Sequence, residues 1–292
     1  MNRDMRQHMI DMLNDLLPED ERLVVLLAGI SASRFTPHPR CINLGIMEQT
    51  LIGAAAGMAM EGFLPVAHTF APFLVERPLE QLKDDFCYQH LGGNFISTGA
   101  SYDYSEEGMT HQAPGDVQAL LGLPGMQIIV PGTALEFERL FRQTYANDLP
   151  TYHRLALRSN STEQPVEFGK LNVLRRGQAG TIIAVGPMLE PTLQASAGLD
   201  VTILYCTTVA PFDGETLRRE CTGQRVALVE PYYAGGLVAS VMAAMQHRPI
   251  CLEAIGVPLK MLHNYGQPEQ HEEALGLTPH GIRERLVAFL TA

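Results

Sequence analysis

The chain reads as two doubly wound α/β domains, a mostly parallel sheet followed by a smaller one. Three observations carry this. Short apolar runs alternate with segments of helical period from residue 5 to residue 157. The runs, such as Leu-Val-Val-Leu-Leu-Ala at 23–28, are apolar at every position, as a strand covered on both faces requires. The pattern breaks at 158–178, where Arg-Ser-Asn-Ser-Thr-Glu-Gln-Pro opens a polar stretch, and then resumes. The expected boundaries are 1–157 for the first domain, 158–178 for a linker and 179–292 for the second.

The elements follow in order. Met9, Ile10, Met12, Leu13, Leu16 and Leu17 stand at helical spacing. Strands are expected at 23–28 and 41–44, then a helix from Glu48 to Glu61 that ends at Gly62, a C-cap. Strands at 64–70, 94–98, 126–130 and 151–157 alternate with helices at 72–90, 115–123 and 134–146, and a polar loop fills 99–110. Beyond the linker, strands are expected at 181–185, 201–205, 225–229 and 250–254. Gly235-Gly236 opens a helix to Met245, and Thr278-Pro279 caps and starts a last helix.

Composition excludes several classes. The 292 residues suffice for two domains. A net charge of −11, with Lys and Arg scattered, argues against nucleic acid or an anionic membrane as partner. No run reaches the length of a membrane-spanning helix, and the first twenty residues lack the apolar core of a signal peptide. Cys41, Cys87, Cys206, Cys221 and Cys251 lie far apart without metal-ligand spacing. They read as inert thiols in a reducing cytoplasm, and no metal site is expected on this chain.

Five segments carry polar residues where chemistry is expected. Glu48 stands at a strand-to-helix junction with almost nothing polar nearby in sequence. It is either a first-turn acid favoured by the helix dipole or a proton donor whose pKa burial raises. Gly45, Gly53 and Gly57 around it would let a backbone or a flat ligand approach. His68-Thr-Phe-Ala-Pro-Phe73 ends a strand, where open α/β sheets bind ligands, and Phe70 and Phe73 are either core or an aromatic shelf. The loop Ser105-Glu-Glu-Gly-Met-Thr-His-Gln112 holds His111, which suits proton exchange with a substrate oxygen. Arg154, in a buried strand, needs an anionic partner, either substrate or a protein carboxylate, and Arg158 follows it. Glu230 with Gly235-Gly236 is either an anion site or a tight structural turn. Phosphate loops, dinucleotide fingerprints, zinc-protease and serine-hydrolase motifs are absent, as is any Gly-Asp-Gly with a downstream Asn that could hold a metal-diphosphate.

Taken together, these segments resemble the transketolase family of thiamine-diphosphate enzymes. The resemblance rests on Asn43-Leu-Gly-Ile-Met-Glu-Gln49, Gly57-Met-Ala-Met-Glu-Gly62, His68 to Phe73, Glu107-Gly-Met-Thr-His-Gln112, Leu123-Pro-Gly-Met126 and Pro150-Thr-Tyr-His-Arg154. Val229-Glu-Pro231, Gly235-Gly-Leu237 and Ala274-Leu-Gly-Leu-Thr-Pro-His-Gly-Ile282 extend it through the second domain. It implies a pyrimidine-binding domain and a transketolase C-terminal domain. It implies that Glu48 bonds the aminopyrimidine of thiamine diphosphate and promotes its reactive tautomer, that Phe70 and Phe73 pack on that ring, and that His111 and Glu107 contact the donor sugar. Arg154 and Arg158 are the candidate substrate cations.

Family members also carry a domain that binds the diphosphate and Mg²⁺ (or Ca²⁺). No segment here matches it. The resemblance therefore implies the C-terminal subunit of a split transketolase, with a separate diphosphate-binding subunit in an α₂β₂ assembly. Gly99 stands where members acting on sugar phosphates commonly have His, Leu157 precedes a displaced Arg158, and Glu76 replaces an expected tyrosine. These departures point to a non-standard ketose donor. A beta subunit of a 2-oxoacid dehydrogenase, a 1-deoxyxylulose-5-phosphate synthase fragment and a non-catalytic scaffold are the alternatives.

Overall fold

A computed structural model describes residues 4–291. Twelve strands form two sheets among the described residues. They are β1 (Leu23–Leu27), β2 (Cys41–Asn43), β3 (Leu64–Phe70), β4 (Gly93–Thr98), β5 (Gln127–Ile129), β6 (Pro150–Arg154), β7 (Leu171–Arg175), β8 (Thr181–Val185), β9 (Thr202–Cys206), β10 (Thr208–Ala210), β11 (Arg225–Tyr233) and β12 (Cys251–Val257). The first sheet has the order β10-β5-β6-β4-β3-β1-β2 and the second β12-β11-β8-β9-β7. All neighbours are parallel except β10 against β5 and β7 against β9. The expected α/β architecture is the one observed.

The continuous apolar runs follow from cover on both faces. In β1, Val24 and Leu26 pack with Leu51 and Ile52 of helix α2 (Glu48–Met60), while Leu23, Val25 and Leu27 pack with Met9, Ile10 and Leu13 of helix α1 (Met5–Glu19). Strand side chains alternate, so a strand between two helical layers must be apolar throughout. Each such Leu or Ile contributes roughly 1.5–3 kcal/mol on burial.

Three expectations change. The expected helix at 72–90 is broken into α3 (Ala71–Val75), a short turn Leu79–Gln81 and a π-wound segment Leu82–Cys87. Pro78 has no N–H to donate and restricts the residue before it, so the chain turns at Arg77. The expected linker 158–178 contains strand β7, whose half-exposed residues give a weak apolar signal at the sheet edge. And β10, from the second half of the chain, completes the first sheet by pairing with β5. Beside that seam the buried Glu136 carboxylate accepts from Tyr205 Oη of β9 at 2.6 Å and from the Gly132 and Gln164 amides.

Arg154, a candidate substrate contact from sequence, is instead fully buried. Its Nε donates to Asp116 Oδ2 at 2.7 Å, and its Nη2 donates to Ser101 Oγ at 2.8 Å. Tyr152 Oη donates to the same carboxylate oxygen at 2.7 Å. Ser101 and Asp116 bracket the 99–116 loop, and Ala113 N donates to Ser101 O at 2.7 Å across its neck. Arg154 therefore closes the loop that carries Tyr104, Glu107 and His111. Tyr232, at the end of β11, faces the guanidinium at 5.6 Å.

Two outcomes follow from this buried polar layer. Arg154→Met leaves Asp116 buried without its cation and lowers stability by ~3–5 kcal/mol, read by urea unfolding. A loss below ~1 kcal/mol would show that the ion pair does not hold the loop. The second concerns His153, buried among Phe137 and Phe141, with neither ring nitrogen partnered among the described residues. Burial pushes its imidazole down to about 3. The unfolded chain takes up this proton below about pH 6.5 and the folded chain does not, so stability falls with pH through that window. Relative to wild type, His153→Phe should gain about 1.4 kcal/mol per pH unit between pH 6 and 4. A constant offset would exclude the buried neutral histidine as the cause.

Candidate functional site

The site lies at the carboxyl ends of neighbouring parallel strands, where the chain leaves the sheet for its helices and loops. Glu48 comes from the β2–α2 turn, Phe70 from the end of β3, Phe73 from α3, and Gly99 to His111 from the loop after β4.

Glu48 is the first residue of α2 and is 5% exposed. Its Oε2 accepts from Arg77 Nη1 at 2.9 Å, and its Oε1 is buried without a partner among the described residues. The expectation of an acid with almost nothing polar around it is corrected, because the break at Pro78 delivers Arg77 to it. Arg77 also lays its guanidinium over Phe73, 3.7 Å from the ring centre. A Cβ at Gly45 or Gly57 would meet nothing within 4 Å, so these positions border open space.

Phe70 and Phe73 do not form a flat shelf. Their rings meet edge-on at 5.9 Å and 89°, making a corner. His111 lies against both, at 5.6 Å from Phe70 and 5.0 Å from Phe73, and its Nδ1 is 3.0 Å from Thr110 Oγ1. Tyr104 closes on Phe70 at 5.0 Å. Gly99 has φ +78°, and a Cβ there would stand 2.6 Å from the Tyr104 ring and 3.3 Å from Phe70. No side chain fits at position 99, because Tyr104 takes its space.

A polar chain runs behind the corner. His68 Nδ1 is 2.7 Å from Ile96 O, an acceptor only, so Nδ1 carries the proton. Nε2 then accepts from Ser31 Oγ at 3.0 Å, and Ser31 Oγ accepts from Arg6 Nε at 2.9 Å. Burial pushes the His68 imidazole down to about 4, in keeping with a neutral ring. Arg6 stands 5.9 Å from the Phe70 ring centre.

The remaining candidates separate. Glu107 is exposed on the turn Ser105–Glu107. Arg158 pairs with Glu272 of the second half at 2.7 Å. Arg154 is internal, as above. Glu230 accepts from the Gly235 and Leu237 amides at 2.6 and 2.9 Å, so the Gly-Gly turn is filled by the chain's own carboxylate rather than an external anion. Burial pushes Glu230 up to about 7, against those amide bonds. Structure thus joins Glu48, Phe70, Phe73 and His111 and adds Arg77, Tyr104 and Arg6. Only Arg77 left a trace in sequence, four residues after Phe73 and directly before a proline.

The corner offers a flat heterocycle aromatic walls and a carboxylate, with the Arg77 guanidinium lying over Phe73 between them. The orphaned Oε1 of Glu48 needs a donor, and the aromatic walls need a ring face. No group of His, Cys, Asp and Glu that could hold a metal is found among the described residues, and no helix there is long and apolar enough to cross a membrane.

Comparison with known proteins agrees with this architecture. The transketolase pyrimidine-binding domain model matches residues 2–160, and the transketolase C-terminal domain model matches 169–282. An uncharacterized 33.6 kDa protein of the fasciation locus of Rhodococcoides fascians is 38% identical over 95% of this chain and 92% of its own. The 6-deoxy-6-sulfo-D-fructose transketolase subunit SqwH of Clostridium sp. (strain MSTE9) is 30% identical over 95% of this chain and 92% of its own. A solved structure described as a split-gene transketolase, inactive beta4 tetramer, superposes with TM-score 0.86 at 28% identity, covering 100% of this chain and 99% of that one. The chain belongs to the transketolase family and is built as the beta subunit of a split transketolase is.

Proposed function

We propose that this chain is the C-terminal subunit of a thiamine-diphosphate transketolase that moves a two-carbon ketol unit from a ketose to an aldose phosphate. The carrying observation is the buried Glu48, whose Oε1 has no partner among the described residues and whose Oε2 is tied through Arg77 to the Phe73 wall of an aromatic corner. When bound, thiamine diphosphate supplies the carbon nucleophile that carries the two-carbon unit. Glu48 would hydrogen-bond the aminopyrimidine ring nitrogen N1′, and Phe70 and Phe73 would wall the ring. His111, edge-on to both rings, would exchange a proton with a donor hydroxyl. Glu107 would contact the same donor from the loop.

The diphosphate and its Mg²⁺ (or Ca²⁺) would be held by a separate subunit, in an α₂β₂ cytoplasmic assembly. The sequence carries no Gly-Asp-Gly motif of the kind that holds a metal-diphosphate. The SqwH subunit and the split-gene structure support a separate subunit. The first domain, 1–157, would supply the pyrimidine site and the second, 179–292, would dock behind it.

An ordinary phosphoketose finds little to hold it. Position 99 admits no side chain, Arg154 is internal, and Arg158 is neutralised by Glu272. A 390 Å³ cavity beside Tyr104 is lined by Asp103, Glu106, Glu269 and Glu272 against Arg158 alone. These features favour a donor that lacks a phosphate on that side. A donor named as a sulfonated fructose for the SqwH relative is consistent with such a non-standard ketose.

The test is reconstitution with a subunit carrying the Gly-Asp-Gly motif, followed by a screen of donors and acceptors. Glu48→Ala should lower turnover of the assembled enzyme about 10²–10⁴-fold while circular dichroism shows it folded. Near-normal turnover would remove Glu48 from the reaction. Alone, the chain should not bind thiamine diphosphate at micromolar concentration. Tight binding by the isolated chain would contradict the split-subunit reading.

A further inference from the structure

We propose that the Arg77 guanidinium is a stand-in for the cofactor's aminopyrimidine: it fills that place in the free subunit and is displaced when thiamine diphosphate binds. The inference rests on the function proposed above.

The geometry is specific. One flat cationic group donates to Glu48 Oε2 at 2.9 Å and stacks on Phe73 at 3.7 Å. The face of Phe73 that it covers is therefore the face turned toward Glu48. At 3.7 Å the stack is at van der Waals contact, and no second ring fits between. A heterocycle that both bonds Glu48 and packs on that face of Phe73 needs the same volume. The guanidinium also resembles the ring chemically, since both are planar and, once N1′ is protonated, both present an N–H to a carboxylate. It keeps the buried carboxylate compensated until the ligand arrives.

Arg77 is free to leave. Its side chain is 44% exposed, and it follows the last turn of α3 rather than lying inside a helix. The exposed carboxylate of Glu80, three residues on, can receive the guanidinium once it swings out. Gln49 Nε2 reaches only its carbonyl, at 3.4 Å, which leaves the side chain untethered on that side.

A displaced self-ligand competes with the cofactor, so removing it tightens binding. The experiment is calorimetric titration of thiamine diphosphate with Mg²⁺ into the reconstituted two-subunit assembly, comparing wild type, Arg77→Ala, Arg77→Lys and Glu48→Gln. Arg77→Ala is expected to lower Kd by about three- to tenfold, with Arg77→Lys between it and wild type. In the free subunit, Arg77→Ala is expected to lower Tm, and in the loaded assembly to leave it unchanged. A structural arginine would lower both. Unchanged or weaker binding by Arg77→Ala, with wild type and Glu48→Gln still ranked as a Glu48 contact requires, would overturn this inference and leave the cofactor reading standing. Absence of binding by every protein, or indifference to Glu48→Gln, would overturn the cofactor reading and the inference with it.

Discussion

The buried contact between Arg154 and Asp116 is the constraint on which the functional end of this molecule depends. A guanidinium taken out of water must find anionic and hydrogen-bonding partners, and it finds them at both ends of one loop. That requirement converts the eighteen-odd residues after β4 from a long flexible connection into a closed ring with a bridged neck. Tyr104 and His111 then have fixed positions against Phe70 and Phe73. Tyr152 and Tyr232 complete the layer, so the same buried charge also steadies the end of β11.

A second constraint joins the two halves. β10 leaves the second sheet's connections to pair with β5 of the first, and Tyr205 of β9 donates to Glu136 beside it. Tyr233 N donates to Pro114 O at 2.8 Å, at the exit of the same loop. The smaller sheet is thus a buttress for the loop that carries the site. Its Glu272 reaches Arg158, and its Ser105–Gly266 contact, 2.6 Å long, pins the loop's outer turn.

A common theme runs through the charged groups near the site. Where an anion was a candidate ligand, the chain supplies its own: Glu230 fills the Gly-Gly turn, Glu272 takes Arg158, and Asp116 takes Arg154. Glu48 is treated in the opposite sense, with a cation from its own chain. The difference is in completeness. Both oxygens of Glu230 are bonded, whereas Glu48 keeps Oε1 open and faces a half-exposed partner. An incompletely satisfied buried carboxylate costs free energy until a donor reaches it.

By itself, the sequence determined the α/β class, both layers of the first sheet and the cluster of Glu48, Phe70, Phe73 and His111. The class and layers follow from periodicity, a local property of the chain, and the cluster from an order of motifs that resembles the transketolase family. Tertiary structure alone decided what the arginines do. Arg154 stood as either a substrate cation or half of an ion pair, because its partner, Asp116, lies 38 residues away and no local pattern links them. Arg77 escaped notice because its meeting with Glu48 depends on the turn at Pro78, after which residues 79–87 lie against α2. Strand β7 and the crossing of β10 were hidden for the same reason. Pairing partners are chosen by the fold across long sequence separations, and an edge strand carries too little apolar signal to announce itself.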